Sequence, residues 1–205
     1  MGFFQPYGRC DDRPGRDALR RLSLLIAALL LGAAAGPALA IPFEDPATGF
    51  KVDPPPPYFV QPARSTTYDE AVVIKSTTNT PPTAPGDPYL CQIGLKKAAD
   101  PGALTQAAIN DQVGQPDFLA NAAAAFAQTF DVSSQATFTQ QGATGIELVG
   151  TSKTGDGTGI FVSLVDTPIG RTSLNCVTPA AQLDNALAPF RQIRNAITLP
   201  TKAAP

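Results

Sequence analysis

The sequence predicts an α+β domain, an antiparallel sheet with helices packed against it. Three features carry that expectation. Four extended stretches precede Lys97, a helical stretch with apolar residues spaced four apart fills the middle, and a second set of four strand-like stretches leads into a closing amphipathic helix. Strands and helices that come in separate runs give this class, whereas regular βα alternation would give a parallel sheet.

The first 40 residues read as an address. Arg9, Arg13, Arg16, Arg20 and Arg21 form a basic segment, Leu22 to Gly36 is an unbroken apolar and small-residue run, and Ala38 and Ala40 supply the small-x-small pattern of a cleavage point. A membrane anchor needs roughly 20 apolar residues, more than this run offers. Arg20-Arg21 sits in a poor match to the twin-arginine export motif, so the Sec and twin-arginine routes both stay open. No cysteine follows Ala40 to accept a lipid. The expectation is a signal peptide over 1–40, cut between Ala40 and Ile41. A single domain over 41–205 follows, with a short disordered C-terminal tail, no stable membrane span after cleavage, and a periplasmic or secreted location.

Gly49–Val52 and Tyr58–Gln61 are short extended pieces separated by Pro54, Pro55, Pro56 and Pro57. Consecutive prolines fix φ near −65° and favour an extended conformer without internal hydrogen bonds. Lying between two apolar pieces, they read as an ordered connection and not as a slack linker. "YDEAVVIKSTT" (68–78) carries the β-branched run of a strand, and "TNTPPTAPGDP" (78–88) is a loop. In "YLCQIGLKK" (89–97) Tyr89, Cys91, Ile93 and Leu95 alternate toward one face. Asp100-Pro101 offers a helix start, Gly114 a stop, and Pro116 a restart. Phe118, Ala122, Phe126 and Phe130, with Leu119 and Ala123, form one helical stripe, read as core packing and not as a cofactor box. Four strands follow, "DVSSQATFTQQ", "ATGIELVGTSK", "GTGIFVSLVD" and "GRTSLNCVT". Asp156-Gly157 makes the middle turn, because two-residue hairpins need positive φ. A phosphate cradle would need a helix directly afterwards, and a strand comes instead. Thr178 and Pro179 then open a last helix whose stripe is Leu183, Leu187, Phe190, Ile193 and Ile197, with Pro189 as an expected kink.

Of 15 Lys+Arg and 17 Asp+Glu, the leader holds five arginines and three aspartates, which leaves the remainder mildly acidic with scattered charge. Nucleic acid as a partner would require a basic stripe, and past the leader the only adjacent basic pair is Lys96-Lys97. Cys10 departs with the leader. Cys91 and Cys176 remain, and in an oxidising compartment such an isolated pair forms a disulfide. Two buried free thiols are the alternative.

The order of elements resembles the PsbP-like fold, the family of the photosystem II extrinsic subunit P. The likeness rests on "DPATGFKVDPPPPYF" as the strand–proline–aromatic entry, the mid-chain helix, the meander "GIELVGTSK…GIFVSLVD…GRTSLNCVTP" and the closing "FRQIRNAITL", spanning residues 43 to 199. The resemblance implies that the prolines cross a sheet end while Phe50 and Tyr58 face the core. It also implies company among exported bacterial domains, many without a known task, and it implies a fold without an activity. Residues that would contact a photosynthetic membrane complex have no counterpart here.

The chemistry on offer is narrow. With no His in the chain, Ser-His-acid and Cys-His nucleophiles and His-bound metal sites are excluded, and bridged cysteines leave no thiolate. Carboxylates remain, and an acid pair such as Glu147 and Asp166 has the chemistry for glycosidase-type work, though both are expected to face water. Asp156 supplies one carboxylate where calcium wants six to eight oxygens. No catalytic, cofactor or metal residues are therefore expected. The expected function is an exported, soluble, non-catalytic binding or assembly-support protein with a protein partner in that compartment. The alternatives are a small-ligand carrier or a carboxylate-only hydrolase.

Overall fold

A computed structural model describes residues 41–202. The expected signal peptide and the last three residues of the expected tail lie outside the described residues. The described part divides into a main sheet of seven strands and a small one of three. The small sheet is β1 (Phe43–Asp45), β2 (Phe50–Val52) and β10 (Ile197–Thr198), in the order β1-β2-β10. The main sheet contains β3 (Tyr58–Pro62), β4 (Glu70–Ser76), β5 (Cys91–Lys97), β6 (Phe130–Gln140), β7 (Ala143–Ser152), β8 (Thr158–Thr167) and β9 (Gly170–Pro179). Its order is β3-β4-β5-β9-β8-β7-β6, and every neighbouring pair is antiparallel. Two meanders thus meet where β5 lies against β9. Between them the chain forms α1 (Gln106–Val113) and α2 (Pro116–Phe126), and after β9 it forms α3 (Leu183–Asn195).

Alternation assigns the layers. On one face Val72, Ile74, Cys91, Ile93, Leu95, Phe161 and Leu174 are buried beneath Phe190 and Ile193 of α3 and Phe50, Val52 and Ile197 of the small sheet. Phe161 and Phe190 touch at 5.7 Å between ring centroids. Full burial of each such side chain contributes about 1.5–3 kcal/mol, so this face is the core. On the other face α1 and α2 cover only Ile146, Leu148, Val162 and Leu164 of β7 and β8.

The α+β architecture is the one the sequence predicts, with local differences. The expected single sheet is two, because β2 leaves the main sheet to pair with β1 and β10. The four prolines carry the chain from one sheet to the other, with Phe50 and Tyr58 buried at either end. The first helix starts at Gln106 and not at Asp100-Pro101: Thr105 accepts a hydrogen bond from Ala108 N–H at 3.2 Å, the stronger cap. Gly114 and Pro116 mark a stop and a restart as expected. Phe130 belongs to β6 and stacks on Phe126 at 4.7 Å, so the aromatic stripe runs from helix into strand. Tyr89 precedes its strand half-exposed, and the fully buried neighbour is Leu90. Pro179 ends β9, a 3-10 turn at Ala180–Gln182 intervenes, and α3 continues through Pro189 without a break. A hairpin forms at the expected place, but as a loop over 153–157 in which Gly155 (φ 76°) and Gly157 (φ 74°), and not Asp156, take positive φ.

Candidate functional site

Cys91 and Cys176 are direct register partners on β5 and β9, and a disulfide joins them. Both are completely buried. Antiparallel partners of the non-hydrogen-bonded kind bring their Cα atoms closest, and here they are 4.0 Å apart.

Glu147 departs from expectation. It is 4% exposed, not in water, because its place in the β7 alternation turns it toward α3. A buried carboxylate needs charge and donors, and α3 supplies both. Arg191 donates through Nη2 to Oε1 at 2.6 Å and through Nε, and Arg194 donates through Nη1 to Oε2 at 2.7 Å. The Arg194 guanidinium also lies 4.0 Å from the centroid of the Phe138 ring. Burial depresses the basicity of Arg194 against the pull of Glu147. The hydrogen bond to Glu147 raises that of the more exposed Arg191. Around this triad Gln140 donates to the carbonyls of Arg194 and Ile197, Gln141 donates to Ile197 O, and Leu199 N–H donates to Gln141. The arrangement clamps the end of α3 onto the β6–β7 hairpin.

Asp166 is three residues past Ser163, the register partner of Glu147, so strand alternation puts it on the opposite face. The two candidate acids are therefore separated by the sheet and cannot flank one bond. Asp166 instead accepts two hydrogen bonds from its register partner Arg171, at 2.7 and 2.8 Å. Asp156 is likewise taken up locally: it accepts from Thr154 Oγ1 and Thr158 N–H, hydrogen bonds that hold its carboxyl below the usual range. No cluster of three or more His, Cys, Asp or Glu side chains that could hold a metal occurs among the described residues.

Among the described residues a groove lies open on the Asp166 side of the sheet, next to a second hollow of about 460 Å³ lined by Lys96, Leu104, Ile109 and Phe118. Phe118, Ala122 and Phe126 of α2 form one wall of the groove and Leu148, Val162 and Leu164 the floor, with the Asp166–Arg171 pair at one end. Its volume is about 330 Å³, at the lower end of the range of ligand pockets. The stripe read as core is therefore only half-buried at Phe118 and Phe126, because α2 is short and rests over the edge half of the sheet.

The Glu147 clamp escaped the sequence, whereas a pocket between helix and sheet belongs to the carrier alternative and only its lining residues were read as core. The clamp left a trace: Arg191 and Arg194 stand three apart, hence on one face of a helix, opposite the lone acid of an apolar strand.

No family model matches this chain, and no curated protein is similar to it in sequence. Solved structures are similar in fold. The solution structure of cyanobacterial PsbP (CyanoP) from Synechocystis sp. PCC 6803 superposes with a TM-score of 0.50 at 13% identity, over 83% of this chain and 99% of that one. The crystal structure of LpqN, involved in cell envelope biogenesis of Mycobacterium tuberculosis, gives 0.44 at 15% identity, over 78% and 90%. The fold is PsbP-like. No helix among the described residues is long and apolar enough to cross a membrane.

Proposed function

We propose that this chain is an exported, soluble, non-catalytic module that binds a protein partner or supports its assembly in the periplasm or outside the cell. The observation that carries this reading is the state of Glu147. The buried carboxylate best placed for chemistry is engaged by Arg191 and Arg194 in holding α3 to the sheet. Export rests on the basic, apolar and small-residue leader. The test is in-situ crosslinking in the native compartment followed by mass spectrometry. A reproducible protein partner is expected, and purified protein should turn over no glycoside or ester panel. Hydrolysis abolished by Asp166→Asn would refute the non-catalytic reading.

The groove favours a second reading, a carrier for a small apolar ligand. Native mass spectrometry separates the two. A carrier leaves its host with a bound apolar mass, and Ala122→Trp, which fills the groove, would remove it.

A further inference from the structure

The two edges of the main sheet are treated differently. At one edge β3 is five residues long, ends in Pro62 and is preceded by four prolines. Proline has no N–H to offer a new strand and is one of the devices that protect sheet edges. At the other edge β6 is eleven residues long and contains no proline, lysine or arginine. Its devices, the charge of Asp131 and a bulge between Val132 and Ser134, both lie at its start, which leaves Ser134–Gln140 regular. In an antiparallel ladder, alternate residues of an edge strand direct N–H and C=O away from their neighbour. Among the described residues, no backbone group of Ser134–Thr139 bonds anything outside the β6–β7 ladder. Ser133 to Thr137 and Thr139 are all exposed.

We propose that β6 is a self-association edge, pairing antiparallel with β6 of a second copy of this chain to make one continuous sheet. Charge is what selects a second copy. From Val132 to Ile146 there is not one charged residue, so the strand meets itself without the like-charge repulsion that keeps other edges apart. A two-fold axis normal to the sheet keeps side chains on their own faces and makes the contact self-complementary. Centred on Thr137, it sets Thr137 against its copy, Ala136 against Phe138 and Gln135 against Thr139. These are β-branched, small-against-aromatic and hydrogen-bonding pairs of the kind that stabilise sheets. Asp131, ahead of the bulge, falls beyond the paired segment and does not meet its copy. The pairing is independent of any heterologous partner and does not use the groove.

The test is sedimentation equilibrium of protein purified from an exporting host, at concentrations up to about 1 mM. A monomer–dimer equilibrium is expected. Q135K/T137K, both exposed positions, should raise the dissociation constant at least about tenfold by opposing like charges, with an unchanged circular dichroism spectrum and melt. Mixing it with Q135E/T137E should restore the dimer, a rescue that misfolding could not produce. Slowed amide exchange across residues 134–139 at high concentration would place the contact. A chain that stays monomeric throughout overturns the proposal, as does a dimer indifferent to the lysine pair.

Discussion

Glu147 sits at 5% side-chain exposure while Arg194 is at 12% and Arg191 at 44%, so removing its charge strands one nearly buried cation and one half-exposed one. Deleting one partner of a buried pair costs about 3–5 kcal/mol, with less expected where a partner can reach water. Glu147→Gln should therefore lower stability by about 3 kcal/mol in denaturant unfolding. E147L/R191L/R194M should recover part of that loss, since apolar replacement of the whole triad removes the desolvation cost as well. A neutral Glu147→Gln would mean that the clamp holds nothing. Asp45 gives the opposite kind of residue effect. Burial alone would raise its pKa, but Thr48 Oγ1 donates to Oδ2 at 2.6 Å and Ala47 N–H to Oδ1 at 3.1 Å, and these bonds outweigh burial and hold the carboxyl below its ordinary value. A depressed folded pKa contributes stability above the unfolded value of about 3.9, and that contribution is lost as pH falls through the lower folded one. Asp45→Asn should flatten the acid limb of the stability–pH curve below about pH 4 and lower stability at neutral pH. An unchanged limb would assign the acid sensitivity elsewhere.

Among elements, β5 is shaped by a contact that its own sequence does not announce. Gly94 lies under the ring of Tyr68, and a Cβ there would overlap ring atoms of that side chain, which cannot swing away as a flexible tip could. Gly94→Ala should cost about 1–3 kcal/mol as overpacking. G94A/Y68A should be less damaging than the two single changes summed, a coupling readable in a double-mutant cycle. Strict additivity would show that the ring does not seal the strand. The same logic explains what could be read in advance. Strands with an alternating buried face, such as Cys91, Ile93 and Leu95, were legible because period two depends on one face alone. The β7–β8 hairpin was legible because positive φ calls for glycine, and Gly155 and Gly157 supply it. Helix starts were not, since Asp100-Pro101 and Thr105 are both acceptable caps and only packing of α1 against the β6–β7 hairpin, where Asn110 donates to Gly142 O at 2.8 Å, chooses between them. β1 and β10 were missed because strands of three and two residues carry no periodicity. Glu147 was misplaced because a charged residue signals solvent unless its partners, 44 and 47 positions away, are known.

At the scale of the molecule, the main sheet is two meanders, β3-β4-β5 and β9-β8-β7-β6, whose seam is the β5–β9 ladder of seven residue pairs. Every other junction in that sheet joins strands consecutive in the chain, so the seam alone carries the entropy of closing a long loop. The disulfide crosses it with a sequence separation of 85. Chain-entropy reasoning makes such a cross-link worth on the order of 4 kcal/mol, mostly through the unfolded state. Cys91→Ala/Cys176→Ala should accordingly unfold at markedly lower denaturant. Because both sulfurs are fully buried, the native protein should resist reductant until the seam opens, so reduction should follow the unfolding rate and not the reductant concentration. Once the bridge is gone, amide exchange should accelerate first across Cys91–Lys97 and Gly170–Val177, while the β6–β7 hairpin, held by its own turn and the Glu147 clamp, stays protected. Alkylatable thiols in protein that has seen no reductant would show that the bridge does not form. Uniform acceleration over all strands would show that the two meanders fold as one unit and that the seam has no independent stability.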